Sequence, residues 1–245
     1  MTAVDENSGS KGYQHRDRSA ELIKTSPGGG CIRVYIPFKA RGAKSRLSTI
    51  LKDDERQLFA TLMLEDVIRS LKSSAVDEII LLSTSEEGIG AIESSHGIEC
   101  LIDDRDLNSA INSILKNETD PVMVVMSDLP LIGSSEIDEM LDFREDLVIA
   151  PGIGGGTNIL VVRSPEHFRV DYYGNSLQDH INIARKHGLS FRIYYSFLAA
   201  VDIDEEADLV ELLIHGDGTA AASYLRTLGV SLSVNQGRVT VKREV

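Results

Sequence analysis

The chain has 245 residues, 42% of them hydrophobic, and a formal net charge of −13. That length and apolar content support one substantial buried core, and the acidity lacks the basic footprint of a nucleic-acid binder. Two cysteines, Cys31 and Cys100, are too few for a disulfide framework or a zinc site, and no apolar run approaches the ~20 residues of a membrane span, so a reducing cytoplasm is expected.

Met1 to Gly30 is rich in Ser, Gly, Lys, Asp and Glu and ends in Ser26-Pro-Gly-Gly-Gly30. Its composition predicts a disordered tail that catalysis does not need, and it lacks the basic-then-apolar order of a secretory signal. Residues 31–245 are expected to form one domain. A first strand is predicted at Cys31–Ile36, ended by Pro37, and a basic loop follows from Phe38 to Ser48. Asp53 or Asp54 is expected to cap a helix with Leu58, Leu62, Ile68 and Leu71 on its apolar face. Asp77–Leu82 and Glu99–Ile102 read as strands, and a helix follows with Leu107, Ala110, Ile111 and Ile114 inward.

The run Val122 to Ser127 is nearly all apolar and lies between Pro121 and Pro130. It predicts a strand buried on both faces, with Asp128 at its carboxyl end. A helix is expected from Ser134 or Ser135, with Ile137, Met140 and Leu141 on one face. Asp146–Ala150 and Ile159–Val162 flank a glycine-rich turn. Ser176–His187 reads as helix, Phe191–Tyr195 as strand and Glu205–His215 as helix. Alternation at Val230, Leu232, Val234, Val239 and Val241 around Asn235–Gly237 predicts a terminal hairpin. Strands alternating with helices give an α/β fold with a mostly parallel central sheet flanked by helices.

Three stretches carry candidate chemistry. Lys39, Arg41, Lys44 and Arg46 crowd the loop after the first strand, and Gly42 lets the backbone approach a ligand; four cations there suit a polyphosphate. The plainer reading is a solvated loop. Pro151–Asn158 carries three successive glycines whose backbone amides can form an anion-binding nest, the alternative being a flexible hairpin turn. Asp202 and Asp204 share a face of an extended segment, where two carboxylates call for a cation between them. With Asp128 they suit Mg²⁺, which takes one or two carboxylates plus phosphate oxygens. The alternatives are that Asp128 caps a turn and Asp204 a helix. His180 and His215 read as structural, because no Ser-His-Asp or Cys-His spacing accompanies them.

Ile36–Leu47, Ser127–Pro130, Ala150–Asn158 and Val201–Asp204 together, in this order over residues 32–230, resemble the 2-phospho-L-lactate guanylyltransferases. These are relatives of the MobA-like nucleotidyltransferases, with the nucleotide-diphospho-sugar transferase (glycosyltransferase-A-like) fold. The resemblance implies a step in coenzyme F-420 biosynthesis: GMP from GTP is joined to 2-phospho-L-lactate, and pyrophosphate leaves. Bacterial members use phosphoenolpyruvate. It implies metal-binding aspartates at Asp128, Asp202 and Asp204, and for such a reaction Lys39, Lys44 or Arg46 can neutralise the leaving pyrophosphate. Acceptor contacts are implied at Thr157 and Asn158 and, in a turn shorter than the bacterial pattern, at Gly174 and Ser176. The rivals are a nucleotidyltransferase of the same fold with another nucleotide or acceptor, and a non-catalytic nucleotide-binding regulator. The alternating hairpin leaves an edge that a second copy would cover, so a homodimer is expected.

Overall fold

The computed structural model describes residues 30–39 and 44–244. The expected tail, apart from Gly30, lies outside the described residues, as do Arg41 and Gly42. The chain runs β1 (Arg33–Phe38), α1 (Asp53–Lys72), β2 (Glu78–Ser83), α2 (Ile89–His96), β3 (Glu99–Ile102), α3 (Leu107–Asn117), β4 (Val122–Val125) and α4 (Ser134–Asp142). It continues through β5 (Leu147–Pro151), β6 (Thr157–Val162), α5 (Ser176–His187), β7 (Phe191–Ile193), α6 (Phe197–Ala200), α7 (Asp208–His215), α8 (Ala220–Thr227), β8 (Val230–Asn235) and β9 (Arg238–Arg243).

Seven strands form one sheet in the order β3-β2-β1-β4-β6-β5-β7, and β8 pairs with β9 in a separate hairpin. β6 runs antiparallel to both its neighbours, β4 and β5, and the remaining pairings in the sheet are parallel. Every residue of β4, β5 and β6 is buried, which explains their near-continuous apolar sequences: helices cover both faces. One core joins Val34, Ile36, Met123 and Val125 to α1, α4, α7 and α8. The other joins Tyr35, Val122 and Val124 to α3 and α5.

Several boundaries differ from expectation. β1 runs through Pro37, which pairs with Leu82 of β2; on the other side, the pairing with β4 ends at Tyr35, so the missing proline N–H interrupts no ladder there. β4 ends at Val125, and Asp128 sits in the turn beyond it. Asp53 is the first helical residue of α1 and not its cap. Lys52 holds that place, its N–H donating to Glu55 Oε2 at 2.8 Å. Leu58 is exposed, and the buried face of α1 runs through Phe59, Met63, Leu64, Val67, Ile68 and Leu71. α7 begins at Asp208, three residues later than expected. The hairpin turn is narrower than expected, with Gln236 and Gly237 both left-handed (φ 49° and 78°), the geometry that suits a two-residue turn.

Candidate active site

β1, β2, β3 and β4 are parallel, so their carboxyl ends open on the same edge of the sheet, where open α/β sheets bind ligands. A cavity of about 370 Å³ lies there, and each of these strands delivers to it the residues at or just beyond its end: Lys39, Ser83, Asp103 and Asp128. Its floor is apolar, built from Ala60, Met63, Leu82 and Met126. Because β6 is reversed, its first residues, Thr157 and Asn158, arrive at this edge as well.

Lys44 ties the polar rim together. Its Nζ donates to Asp128 Oδ2 at 2.7 Å and lies 3.5 Å from Asp204 Oδ1. Arg46 Nη1 donates to Asp204 Oδ2 at 2.6 Å. Two features hold the lysine in place. Leu47, fully buried, anchors the 3-10 turn Ser45–Leu47, and Lys44 precedes that turn in a left-handed conformation (φ 58°, ψ 38°). A non-glycine residue adopts that region at a steric cost, which is tolerated where the surroundings fix it. The Lys44 side chain is only 9% exposed.

The acidic segments are also locked to each other. Ile203 N–H donates to the Asp128 carbonyl at 3.0 Å. Val201 and Ile203 are buried, so Asp202 and Asp204 alternate outward, as their spacing predicted. Asp204 does not cap α7: Asp208 Oδ2 accepts from the N–H groups of Asp204 and Glu205, leaving the Asp204 carboxylate to the two cations. Burial pushes the Asp202 carboxyl up, and the Asp128 charge pushes it further. Asn158 Nδ2 partly offsets this by donating to Asp202 Oδ1 at 3.3 Å, while also bonding the carbonyls of Ala199 and Ala200.

Among the described residues, no group of three or more His, Cys, Asp or Glu side chains is gathered closely enough to hold a metal ion. Asp128, Asp202 and Asp204 stand near one another with Lys44 among them. Lys39 lines the cavity and is exposed, whereas Arg46 reaches Asp204 from outside it.

Thr157 and Asn158 project to opposite faces of β6. Thr157, 4% exposed, turns toward α5, where its Oγ1 lies 3.0 Å from His180 Nδ1. Ser176, the first residue of α5, is buried on the same side of that helix as His180. Gly174 precedes it with φ 86°, and Leu177 N–H donates to the Gly155 carbonyl, joining the glycine-rich turn to the start of α5.

Residues 32–245 match the family described as "Guanylyl transferase CofC like". The chain belongs to that family. It is 46% identical over 208 residues to the 2-phospho-L-lactate guanylyltransferase of Methanosarcina mazei, covering 85% of this chain and 98% of the relative. The Halomicrobium mukohataei protein of the same name is 43% identical over 212 residues, 86% and 100% of the two chains. Solved structures agree on the fold. A candidate nucleotide-diphospho-sugar transferase from Desulfovibrio desulfuricans G20 superposes with TM-score 0.67 at 16% identity, over 80% of this chain and 94% of that one. A cytidylyltransferase from Leptospira borgpetersenii gives 0.52 at 14% identity, over 81% and 94%. The central sheet is thus that of the nucleotide-diphospho-sugar transferases, and the CofC-like chain is a nucleotidyltransferase.

Two members of this CofC-like site were missed in the sequence. Asp103 and Arg105, just beyond β3, line the cavity, with Arg105 Nε donating to Asp103 Oδ1 at 2.8 Å. Their signal was the mixed-charge run Asp103–Asp106 at a strand's carboxyl end. His180, expected to be structural, is buried against the rings of Phe168 and Tyr172.

Proposed function

We propose that the chain transfers the guanylyl group of GTP to the phosphate of 2-phospho-L-lactate, giving lactyl-2-diphospho-5'-guanosine and pyrophosphate, as a step in coenzyme F-420 biosynthesis. The observation that carries this reading is the Lys44 bridge between Asp128 and Asp204 on the rim of a cavity with an apolar floor. The floor suits a nucleobase, and the rim suits phosphates. The names of the Methanosarcina and Halomicrobium relatives supply the substrate class.

The reaction brings two anions together. An acceptor phosphate oxygen, already ionised at neutral pH, attacks the α-phosphorus while pyrophosphate departs in line, so the site must cancel charge and fix geometry. Lys39 and Lys44 on the cavity, and Arg46 beside it, would neutralise the departing pyrophosphate. Thr157, with Gly174 and Ser176 beside the amino end of α5, would meet the acceptor's phosphate, where the helix dipole favours an anion. No protein nucleophile is required.

The donor set fits Mg²⁺: hard carboxylate oxygens, an ammonium already standing between two of them, and an Asp202 carboxyl pushed up by burial and then by the nearby Asp128 charge. Two of these carboxylates, Asp128 and Asp202, would hold the ion together with substrate oxygens. When bound, it would supply further positive charge to the phosphates.

Pyrophosphate release decides the reading, measured with GTP, ATP, CTP and UTP against 2-phospholactate and phosphoenolpyruvate, with and without Mg²⁺. GTP with 2-phospholactate is expected to be fastest. Preference for phosphoenolpyruvate or another nucleotide would establish the same-fold alternative, and no release with any pair would leave a nucleotide-binding regulator.

Leu232, Val234 and Val239, exposed on the hairpin face whose inner end is the buried Val230 and Val241, support a homodimer. A monomer by light scattering at micromolar protein would remove that idea. The two free cysteines and soluble substrates fit a cytoplasmic enzyme.

A further inference from the structure

His180 is fully buried in the second core, away from the carboxylates. The rings of Phe168 and Tyr172 meet it edge-on at centroid distances of 5.8 and 5.0 Å and fix its plane. Asp171 N–H donates to its Nε2 at 3.0 Å. An imidazole nitrogen that accepts a hydrogen bond carries no hydrogen, and a neutral ring has one N–H, so that hydrogen sits on Nδ1. Burial keeps the ring neutral, holding its pKa down at about 4 against the opposing Asp171 charge. Nδ1–H then has Thr157 Oγ1 as its acceptor, at 3.0 Å.

A hydroxyl that accepts from one side has its own proton left to donate. We propose that His180 is a positioning residue: it fixes the Thr157 hydroxyl with a lone pair inward and the proton outward, as a ready donor to the acceptor's phosphate. The inference rests on the reading that Thr157 meets that phosphate. Without His180 the hydroxyl rotates and can present a lone pair to an anion. With His180, the donor is oriented before substrate arrives, and no reorganisation is needed on binding. The relay runs from the Asp171 backbone through the imidazole to Thr157, and nothing in it changes protonation during turnover.

Steady-state kinetics on four variants test this. Thr157→Val removes the donor and is expected to lower kcat/KM for 2-phospholactate on the order of 10- to 100-fold, the range for a hydrogen bond to a charged group. The KM for GTP should move by less than about 3-fold on the same scale. His180→Gln puts its amide where Nε2 was and leaves Thr157 unsupported, so it should lower the same constant roughly 10-fold. His180→Asn places an N–H at the Nδ1 position and should recover most of that loss. In the Thr157→Val background, His180→Gln should add little, because its effect passes through a hydroxyl no longer there.

The outcomes separate the two claims. If Thr157→Val leaves acceptor kinetics intact, the placement of the acceptor fails and the inference falls with it. If Thr157→Val behaves as expected but the His180 and Thr157 losses multiply independently, or GTP and acceptor constants fall together, the placement stands and the positioning role is overturned. Nitrogen-15 spectra of the unaltered protein give a check that no folding defect can blur. They should show Nδ1 protonated and Nε2 bare at neutral pH, and the reverse tautomer would overturn the inference.

Discussion

Lys44 is the residue on which the candidate site depends, since it touches Asp128 and Asp204 from a backbone conformation that few lysines adopt. Asp128→Asn removes one of its partners and, in the same stroke, a charge that disfavours the ionised form of Asp202. These effects oppose each other, so stability should change by less than about 1 kcal/mol, as for partly exposed pairs. Turnover should fall about 10²- to 10³-fold, because the electrostatic contact is made to the reacting phosphates. Kinetics paired with thermal melting check this. Near-normal turnover at saturating Mg²⁺ would show that Asp128 is only a turn residue. Asp128, Lys44, Arg46 and Asp204 were legible in the sequence because charges that end apolar runs announce a sheet edge. His180 was not legible as a partner of Thr157: 23 residues separate them, and a single helical histidine has no spacing pattern to read.

At the scale of elements, the β5–β6 turn is built around a close approach. A Cβ added at Gly152 would lie 2.7 Å from Asn158 Oδ1. Gly152→Ala should therefore push Asn158 from Asp202 and from the carbonyls of Ala199 and Ala200. Expected are a loss of about 1–3 kcal/mol of stability, typical of overpacking, and a fall in turnover, read by melting and pyrophosphate release; unchanged melting would show that Asn158 moves aside freely. A second contact joins the hairpin to α1. Arg243 holds the Glu55 carboxyl at about 2, well below its ordinary value, chiefly through their paired hydrogen bonds. A lowered carboxyl contributes stability that is complete above the unfolded value near 4.5 and is lost as pH falls toward 2. Glu55→Gln should accordingly lower the melting temperature at pH 7 and flatten its decline below pH about 4.5. An unchanged acid limb would sink the assignment. The strands were readable from period-two alternation and apolar runs, and β3 and α5 came out with their observed bounds. α2 was missed because it buries only Ile89 and Ile92, α6 because it has four residues, and α8 because it buries mainly alanine.

Across the whole molecule, the site lies where four parallel strands end and one reversed strand begins, so ligand binding should be felt by the fold as a unit. Chelation is expected to abolish pyrophosphate release and Mg²⁺ to restore it. GTP with Mg²⁺ at about 100 times its Kd should raise the melting temperature by roughly 5–10 °C. Full activity in excess chelator would remove the metal. The strand order itself was not legible, since periodicity identifies strands but does not say which lie side by side. The reversal of β6 follows from the short glycine-rich turn joining it to β5, whose plainer reading in the sequence was a hairpin.

The last stretch of chain leans on one of the first. Arg243 meets Glu55 across 188 residues, and Asp66 accepts from the N–H groups of Ala220 and Ala221 across 154 and 155. Val230 and Val241 join the same core as α1. A ribosome releases its product from the amino end at roughly 5–20 residues per second, so α1 emerges ~10–40 s before its final support. Lys44 lies between β1 and α1, and its setting matures only after Arg243 has been made. A message cut short after Leu228 would encode every carboxylate of the site and still deliver a chain whose first helix lacks the hairpin that braces it.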